Sequence, residues 1–60
     1  SKLKTDYREI LWLIYFENFS NAQAAMVMNK SNRQIENLLF RAKHALKQIL
    51  EKEKIEYEKL

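Results

Sequence analysis

The chain has 60 residues, of which 47% are hydrophobic, and it contains no glycine, proline or cysteine. A core built from so few residues buries only roughly 60% of the unfolded surface, so the chain forms one small domain. The absence of cysteine excludes disulfides and thiolate metal sites. The apolar run Ile10–Phe16 is far shorter than the ~20 residues that cross a bilayer, and no targeting segment precedes it. We therefore expect an all-α, cytoplasmic domain with no membrane contact.

The net charge of +3 is unevenly distributed along the chain. Residues 30–47 contain five cations and a single acid, Glu36, whereas lysine and glutamate alternate after residue 47. A basic block of this kind is typical of a surface that meets nucleic-acid phosphates, although a solvated helix face has a similar composition.

The first predicted helix begins at Thr5 or Asp6 and runs to about Asn18. Asp6 and Glu9 have the spacing of a capping box, in which the first side chain and the side chain three positions later each bond the other residue's backbone N–H. The apolar run Ile10–Phe16 covers more than one face. This predicts either a central core helix or a helix that also contacts a partner protein.

Two further helix starts stand eleven residues apart. Ser20 with Gln23 and Ser31 with Gln34 each fit the capping box, so we predict that helices begin directly after both serines. The turn between these helices falls on residues 29–30. Asn29 has the position that needs a left-handed backbone, which asparagine tolerates best after glycine.

Helical periodicity predicts which faces of the later helices are buried. In the second helix we expect small residues at a close helix crossing, and the predicted inward residues are Ala24, Ala25, Val27 and Met28, with Phe19 and Ala24 as a hydrophobic staple around the cap. The third helix is expected to reach Lys54 or beyond. Its predicted inward face comprises Ile35, Leu38, Leu39, Ala42, Ala45, Leu46, Ile49 and Leu50. Its predicted outward face comprises Arg33, Glu36, Asn37, Phe40, Arg41, His44, Lys47 and Gln48.

This pattern is typical of a small three-helix domain with a helix-turn-helix and a long C-terminal recognition helix, without a wing. In such a domain the recognition helix lies in the major groove, and the helix before it braces the DNA backbone. Arginine holds phosphate or guanine, asparagine and glutamine pair with adenine, and glutamate accepts from cytosine. Phe40 fits a thymine methyl, a partner protein, or packing on the first helix or the tail. The predicted DNA-binding residues are Ser20, Asn21, Lys30, Ser31, Asn32, Arg33, Gln34, Glu36, Asn37, Phe40, Arg41 and His44.

The order of these residues resembles region 4 of bacterial RNA polymerase sigma factors, and most closely the extracytoplasmic-function (ECF) group of the sigma-70 family. Members of that group read Tyr-Arg-Glu, a hydrophobic run, Tyr-Phe-Glu-Gly-Leu-Ser, a short helix, a turn with Ser, and a helix with Arg-Ala-Lys/Arg and Leu. The similarity covers nearly all of residues 6–50. The matching positions here are Tyr7–Ser20, Ala24, Ala25, Met28, Ser31, Ile35 and Leu39–Leu46.

The resemblance implies a promoter-recognition domain that directs transcription initiation. Such a domain binds the minus-thirty-five element of double-stranded promoter DNA and docks on the flap of the β subunit of core RNA polymerase, and an anti-sigma factor stays open as a further partner. It uses no cofactor, metal or small-molecule substrate. Region 2, which melts DNA in these factors, has no counterpart in residues 1–60, so we expect this domain to be the C-terminal part of a longer protein.

Several positions depart from the family pattern. Ile14 stands where many members have an arginine that meets a phosphate, and Asn21 and Ala22 replace a frequent Tyr-Glu pair. Glu36 and Leu38 stand where Lys or Arg is common. Because fewer cations release fewer counterions, we expect DNA binding to be weaker and less salt-dependent than in a typical relative.

Two alternative functions stay open at this point. A different helix-turn-helix regulator would share the fold and would be expected to dimerise on a palindrome. A protein-interaction domain would use its aromatic first helix to contact polymerase or an anti-sigma factor, and would show no salt-dependent binding to any duplex. We do not expect an enzyme, because His44 is the only imidazole and half of the acids lie along the Glu/Lys tail without a pocket.

Overall fold

The computed structural model of the protein describes the backbone of residues 3–58 and the side chains of residues 3–52. Helix α1 spans Thr5–Leu11 and continues without a break into a π-helical segment, Trp12–Phe16. Helices α2 and α3 span Asn21–Met28 and Asn32–Glu58. Within the described backbone every regular element is helical, so the predicted all-α, three-helix fold is confirmed, as is the continuation of the last helix past residue 54. The sequence also predicts that the chain frays after it extends this helix, and residues 59 and 60 lie outside the described part.

Helix α1 begins at Thr5, but the predicted capping box between Asp6 and Glu9 is wrong. Lys4 is the residue that precedes the helix, and no side chain bonds the exposed N–H groups at this end. A capping residue needs an extended backbone just before the first helical turn. Asp6 lies inside the first turn of α1, so its backbone is already helical.

The π-helical segment was not predicted from the sequence. The backbone N–H of Glu17 donates to the carbonyl of Trp12 at 3.0 Å, five residues earlier, and the N–H of Phe19 donates to Leu13 at 2.9 Å, six residues earlier. Asn18 has a left-handed backbone with φ 58°. The first helical stretch therefore ends at residue 16, two residues before the predicted end, in a turn wider than an α turn.

The predicted starts of α2 and α3 are confirmed. The N–H of Gln23 donates to Ser20 Oγ at 3.1 Å, and the N–H of Ser20 donates to Gln23 Oε1 at 2.8 Å. The same two distances, 3.1 and 2.8 Å, join Ser31 and Gln34. Each pair satisfies two backbone donors that would otherwise have no partner, so both helices begin at a defined residue.

The turn between α2 and α3 is also as predicted. Asn29 has φ 55° and ψ 50°, in the left-handed region. The N–H of Lys30 donates to Ala25 at 2.9 Å, and that of Asn29 donates to Met26 at 3.4 Å. This pair of bonds is the Schellman motif, which ends α2 and turns the chain directly into α3.

A small core joins the three helices. Its fully or nearly fully buried members are Ile10, Leu13, Ala24, Ala25, Ile35 and Ala42. Half of them are alanines, which allow the helix axes to approach closely. Both α1 and α2 pack on α3, so this core fixes how α3 is rotated about its own axis. Phe19 and Met28 pack against the edge of the core, as predicted.

Two predicted inward residues are on the surface. Val27 is 54% exposed and Leu50 is 55% exposed. At about 100° per residue, Val27 lies roughly 100° from the middle of the arc that Ala24, Ala25 and Met28 occupy, so no neighbouring helix covers it. Leu50 belongs to the later part of a 27-residue helix that is longer than the short helices packed on it.

The prediction of a central core position for the first helix is only partly right. Ile10 and Leu13 are buried. In contrast, Trp12, Tyr15 and Phe16 are 54%, 54% and 69% exposed. The first helical stretch is therefore sealed into the core on one side and presents an aromatic surface on the other.

Candidate nucleic-acid interface

The predicted DNA-binding residues lie between the start of α2 and the middle of α3. Ser20 precedes α2, Lys30 and Ser31 lie in the turn, and the others from Asn32 onward follow along α3. Asn21 and Lys30 are half-buried, and all the others in the set are exposed. The fold thus brings the turn and the outer face of α3 to one side of the molecule, as the sequence predicted.

The α3 members of this set form one continuous surface. Six of them span an arc of about 140° at 100° per residue and about 17 Å of the helix axis: Arg33, Glu36, Asn37, Phe40, Arg41 and His44. The buried residues Ile35 and Ala42 lie on the opposite side of α3. Because these two side chains are sealed against α1 and α2, the arc is held facing outward.

The cations on this surface are free of internal partners. In residues 3–52, whose side chains are described, Lys30, Arg33 and Arg41 make no salt bridge or side-chain hydrogen bond. Glu36 is the one acid on the arc. The guanidinium donors of both arginines are therefore available to a phosphate or to a base edge.

Three of the predicted contact residues already bond to the protein's own backbone, and one of them is Ser20, whose Oγ accepts from the N–H of Gln23. Gln34 Oε1 accepts from the N–H of Ser31, and Ser31 Oγ accepts from the N–H of Gln34. A two-bond contact with adenine needs the amide oxygen and nitrogen of glutamine together. With its oxygen folded back onto the helix start, Gln34 serves first as the cap of α3, and its NH₂ group is the part left for DNA.

Phe40 is 73% exposed. The alternative in which Phe40 packs on the first helix is therefore wrong, because no such contact could leave so much of the ring in water. A benzyl group in the middle of a polar arc is suited to a thymine methyl group or to a partner protein.

The last predicted contact residue, His44, is exposed one turn beyond Phe40. Its Nε2 lies 3.4 Å from Nε2 of Gln48, four residues later on the same face. This is a long hydrogen bond at the surface, and either side chain can give it up for a phosphate oxygen.

A second surface, the apolar groove, lies between the first helical stretch and the later part of α3. Its volume is about 340 Å³, and it is lined by Leu11, Tyr15, Lys43, Leu46, Lys47, Leu50 and Glu51. The Lys43 ammonium lies 5.8 Å from the centre of the Tyr15 ring, in a cation–π arrangement. Beside the groove the rings of Trp12 and Phe16 stack with centroids 4.6 Å apart.

The sequence carried a signal for this second surface. An apolar run that covers more than one helix face either is buried on both sides or exposes one of them. On α3, the sequence predicts Leu46 and Leu50 as buried and Lys47 as part of the outward face, so it does not predict that they line one groove. Two residues at the other end of the first helix, Lys4 and Tyr7, were not predicted as functional, although they lie beside the recognition helix.

The described residues contain no group of three or more His, Cys, Asp or Glu side chains arranged to hold a metal ion. No helix in the described part is long and apolar enough to cross a membrane.

The domain has three helices, and a tight left-handed turn joins α2 to α3. The outer face of α3 is presented to solvent. This arrangement defines a helix-turn-helix domain of the class that binds duplex DNA. Among known families, the one described as Sigma-70, region 4 matches residues 1–46, and the chain belongs to this family. Region 4 is the DNA-binding part of sigma factors that recognises the minus-thirty-five promoter element, and it is not a catalytic domain. Comparison with curated proteins and with solved structures gave no match.

Proposed function

We propose that this chain is the minus-thirty-five recognition domain of an ECF-type sigma factor, which directs RNA polymerase to a subset of promoters. The observation that carries the proposal is the outward arc of α3, held in place by the burial of Ile35 and Ala42 on the opposite side. The ECF assignment is supported by Gln34–Leu46, which follows a sequence found in that group.

In this proposal, α3 enters the major groove with the side chains from Asn32 to Arg41. The amide of Asn37 pairs with an adenine edge, which needs one donor and one acceptor, and the Phe40 ring covers a thymine methyl. Arg33 and Arg41 hold phosphates or a guanine. Ser20, Asn21 and Lys30, at the start of α2 and in the turn, contact the DNA backbone and set the register of α3.

We assign the apolar groove to core RNA polymerase, whose β flap is the docking element that the family resemblance implies. Leu46 and Leu50 line the groove on α3, and Tyr15 lines it on the π-helical segment. On α3 these positions lie after the arc that faces DNA, so DNA and polymerase bind without competing. An anti-sigma factor that occupied the same groove would block polymerase.

The proposal is tested by two substitutions and a control, measured on a duplex selected from a random pool by the protein bound to core polymerase. Arg41→Ala should weaken binding to every sequence, because a phosphate contact carries no base preference. Asn37→Ala should lose about 1–3 kcal/mol mainly at one base pair. Lys52→Ala, an exposed charge change at the end of the described side chains, should leave affinity within about twofold at moderate salt.

If both Arg41→Ala and Asn37→Ala leave affinity unchanged, α3 does not read DNA and the proposal is wrong. Absence of any salt-dependent duplex binding would instead favour a protein-interaction domain. A symmetric selected site together with a dimeric mass in gel filtration would favour a different helix-turn-helix regulator.

A further inference from the structure

A polar cleft separates the beginning of α1 from the first half of α3. It has a volume of about 340 Å³, and its lining includes Lys4, Asp6, Tyr7, Lys30, Asn37 and Arg41. We propose that this cleft seats one phosphate of the DNA backbone and that Lys4 is a DNA contact supplied by the first helix. The inference rests on the function proposed above, and adds to it a helix outside the helix-turn-helix.

The positive charges that line the cleft favour the binding of an anion. Lys4, Lys30 and Arg41 come from three different parts of the chain and meet at one cleft, with Asp6 as the acid in its lining. None of the three cations makes a salt bridge within the described side chains. Their mutual repulsion is therefore not relieved inside the described protein, and a phosphate oxygen would relieve it.

Lys4 is held in position by a ring. Its ammonium lies 5.6 Å from the centre of the Tyr7 ring, which also lines the cleft. A cation–π contact of this kind restricts a long side chain that would otherwise sample many rotamers. The charge is thus directed to the side of α1 that faces α3.

The position of the cleft on α3 explains why its ligand is a phosphate and not a base. Arg33 lies near the centre of the DNA-facing arc. At about 100° per residue, Asn37 lies about 40° from Arg33 around the helix, and Arg41 lies about 80° from Arg33. A helix about 10–12 Å in diameter fills a major groove about 12 Å wide. Side chains a quarter turn from the base-reading face therefore meet the groove wall, which is the phosphate backbone.

The same geometry gives Asp6 a defined effect. Its carboxylate lines the cleft and repels the phosphate that the three cations attract. Removing this charge should therefore strengthen binding. A lysine and an aspartate only two positions apart thus have effects of opposite sign, which a merely structural role for α1 would not produce.

The test uses the full chain bound to core polymerase and the selected duplex. Lys4→Ala should lower affinity several-fold on all sequences and reduce the slope of log affinity against log salt by about 0.9, the value for one lost phosphate contact. Lys4→Arg should restore both. Asp6→Asn should raise affinity.

The matched controls are Lys52→Ala and Glu17→Gln, which change the same charges at exposed positions outside the cleft. Lys52 is about 16 Å along α3 from Arg41, well beyond the ~8 Å screening length at physiological salt, and Glu17 follows the far end of the helical stretch that begins beside Asp6. Both should leave affinity and the salt slope unchanged. Lys4→Ala should also unfold at the same denaturant concentration as the parent chain.

A second measurement locates the contact on the DNA. Duplexes carrying one uncharged methylphosphonate at successive positions should show one position that weakens binding of the parent chain but causes no further loss with Lys4→Ala. If Lys4→Ala behaves like Lys52→Ala while Arg41→Ala and Asn37→Ala weaken binding, Lys4 holds no phosphate and the inference is wrong, whereas the proposed function stands. Saturable binding of inorganic phosphate alone at low millimolar concentration, without any effect of Lys4→Ala on DNA, would assign the cleft to a free anion and overturn the inference.

Discussion

Asn18 and Asn29 adopt left-handed backbone conformations in the two connections between helices. Both have positive φ, 58° and 55°. In this region a side chain with a Cβ atom clashes with the backbone, at a cost of roughly 1–2 kcal/mol for most residues, while asparagine tolerates it. In a sequence without glycine, asparagine therefore supplies the left-handed residue at both of these turns in the described backbone.

We predict that Asn29→Ala lowers the free energy of unfolding by about 1 kcal/mol, because alanine lacks the side-chain amide that eases the left-handed conformation. Asn29→Gly should change stability by less than about 0.5 kcal/mol, since glycine adopts this conformation freely but gains entropy when unfolded. Chemical denaturation of both variants measures the difference. Asn32→Ala, in the first turn of α3, is the control, and an effect as large as that of Asn29→Ala would contradict the prediction.

The two asparagines differ in how far the sequence predicted them. Asn29 is predicted as left-handed because it lies in the turn of the helix-turn-helix, at the position that needs this conformation, and asparagine tolerates it. Asn18 occupies the position where the family pattern has glycine, and it was predicted only as the approximate end of a helix. In both cases asparagine is the residue type that indicates a left-handed backbone. Before Asn18, however, the long apolar run favours a helix, so the predicted helix is longer than the observed one.

At the scale of elements, the three helices differ in how they begin. Helices α2 and α3 each start at a serine with a reciprocal glutamine, whereas α1 starts after Lys4 without a side-chain cap. Isolated helices as short as α2, with eight residues, are not stable in water. The caps and the alanine-rich core therefore hold the helix-turn-helix together jointly.

We predict that Ser20→Ala and Ser31→Ala each lower the free energy of unfolding by about 1 kcal/mol, because each leaves a backbone donor at a helix start without its partner. Thr5→Ala, which removes only a 3.5 Å side-chain contact with Arg8, should cost less than about 0.5 kcal/mol. Thermal or denaturant unfolding followed by circular dichroism compares the three. The cap interpretation fails if Thr5→Ala is as destabilising as the serine variants.

The serine caps of α2 and α3 were predicted correctly because they are local, whereas the π-helical segment depends on the tertiary structure. Ile10–Phe16 is apolar at every position, so its periodicity does not reveal which residues face inward. Packing decides this: Ile10 and Leu13 are sealed in the core, and the wider turn places Trp12, Tyr15 and Phe16 outside. Likewise, the exposure of Leu50 depends on how far the neighbouring helices reach, which helical periodicity does not contain. Val27 differs, because its angle from Ala24, Ala25 and Met28 already places it outside the buried arc of α2.

At the scale of the whole molecule, two surfaces of different chemistry share one small core. The arc on α3 is polar and basic, and the apolar groove is lined by leucines and a tyrosine. The sequence predicted the fold class and the residues that form the arc, and the structure shows them together on the outside. Their individual contacts with DNA stay predictions.

We predict that Tyr15→Ala combined with Leu50→Ala weakens binding to core polymerase by at least about 2 kcal/mol, because buried aromatic and aliphatic anchors dominate most protein interfaces. Both side chains are more than half exposed in the free chain, so the fold should be retained. Binding of the isolated chain to the selected duplex should not change. Polymerase affinity is measured by titrating labelled protein.

Met26→Ala provides the matched control, because Met26 is 83% exposed and lies on α2, outside the groove. It should leave polymerase binding as it is. Equal affinity of the double variant and the parent chain for polymerase would show that the groove is not the docking surface.

Helix α3 runs unbroken for 27 residues, about 40 Å at 1.5 Å per residue, and the chain's longest dimension is 43 Å. The same helix carries the arc proposed to bind the promoter and, farther along, one wall of the groove proposed to bind RNA polymerase. A continuous helix bends only gently. In that arrangement the number of residues between the arc and the groove sets the distance and the angle between the bound DNA and the bound polymerase. The geometry of one helix therefore determines where the polymerase is placed along the DNA.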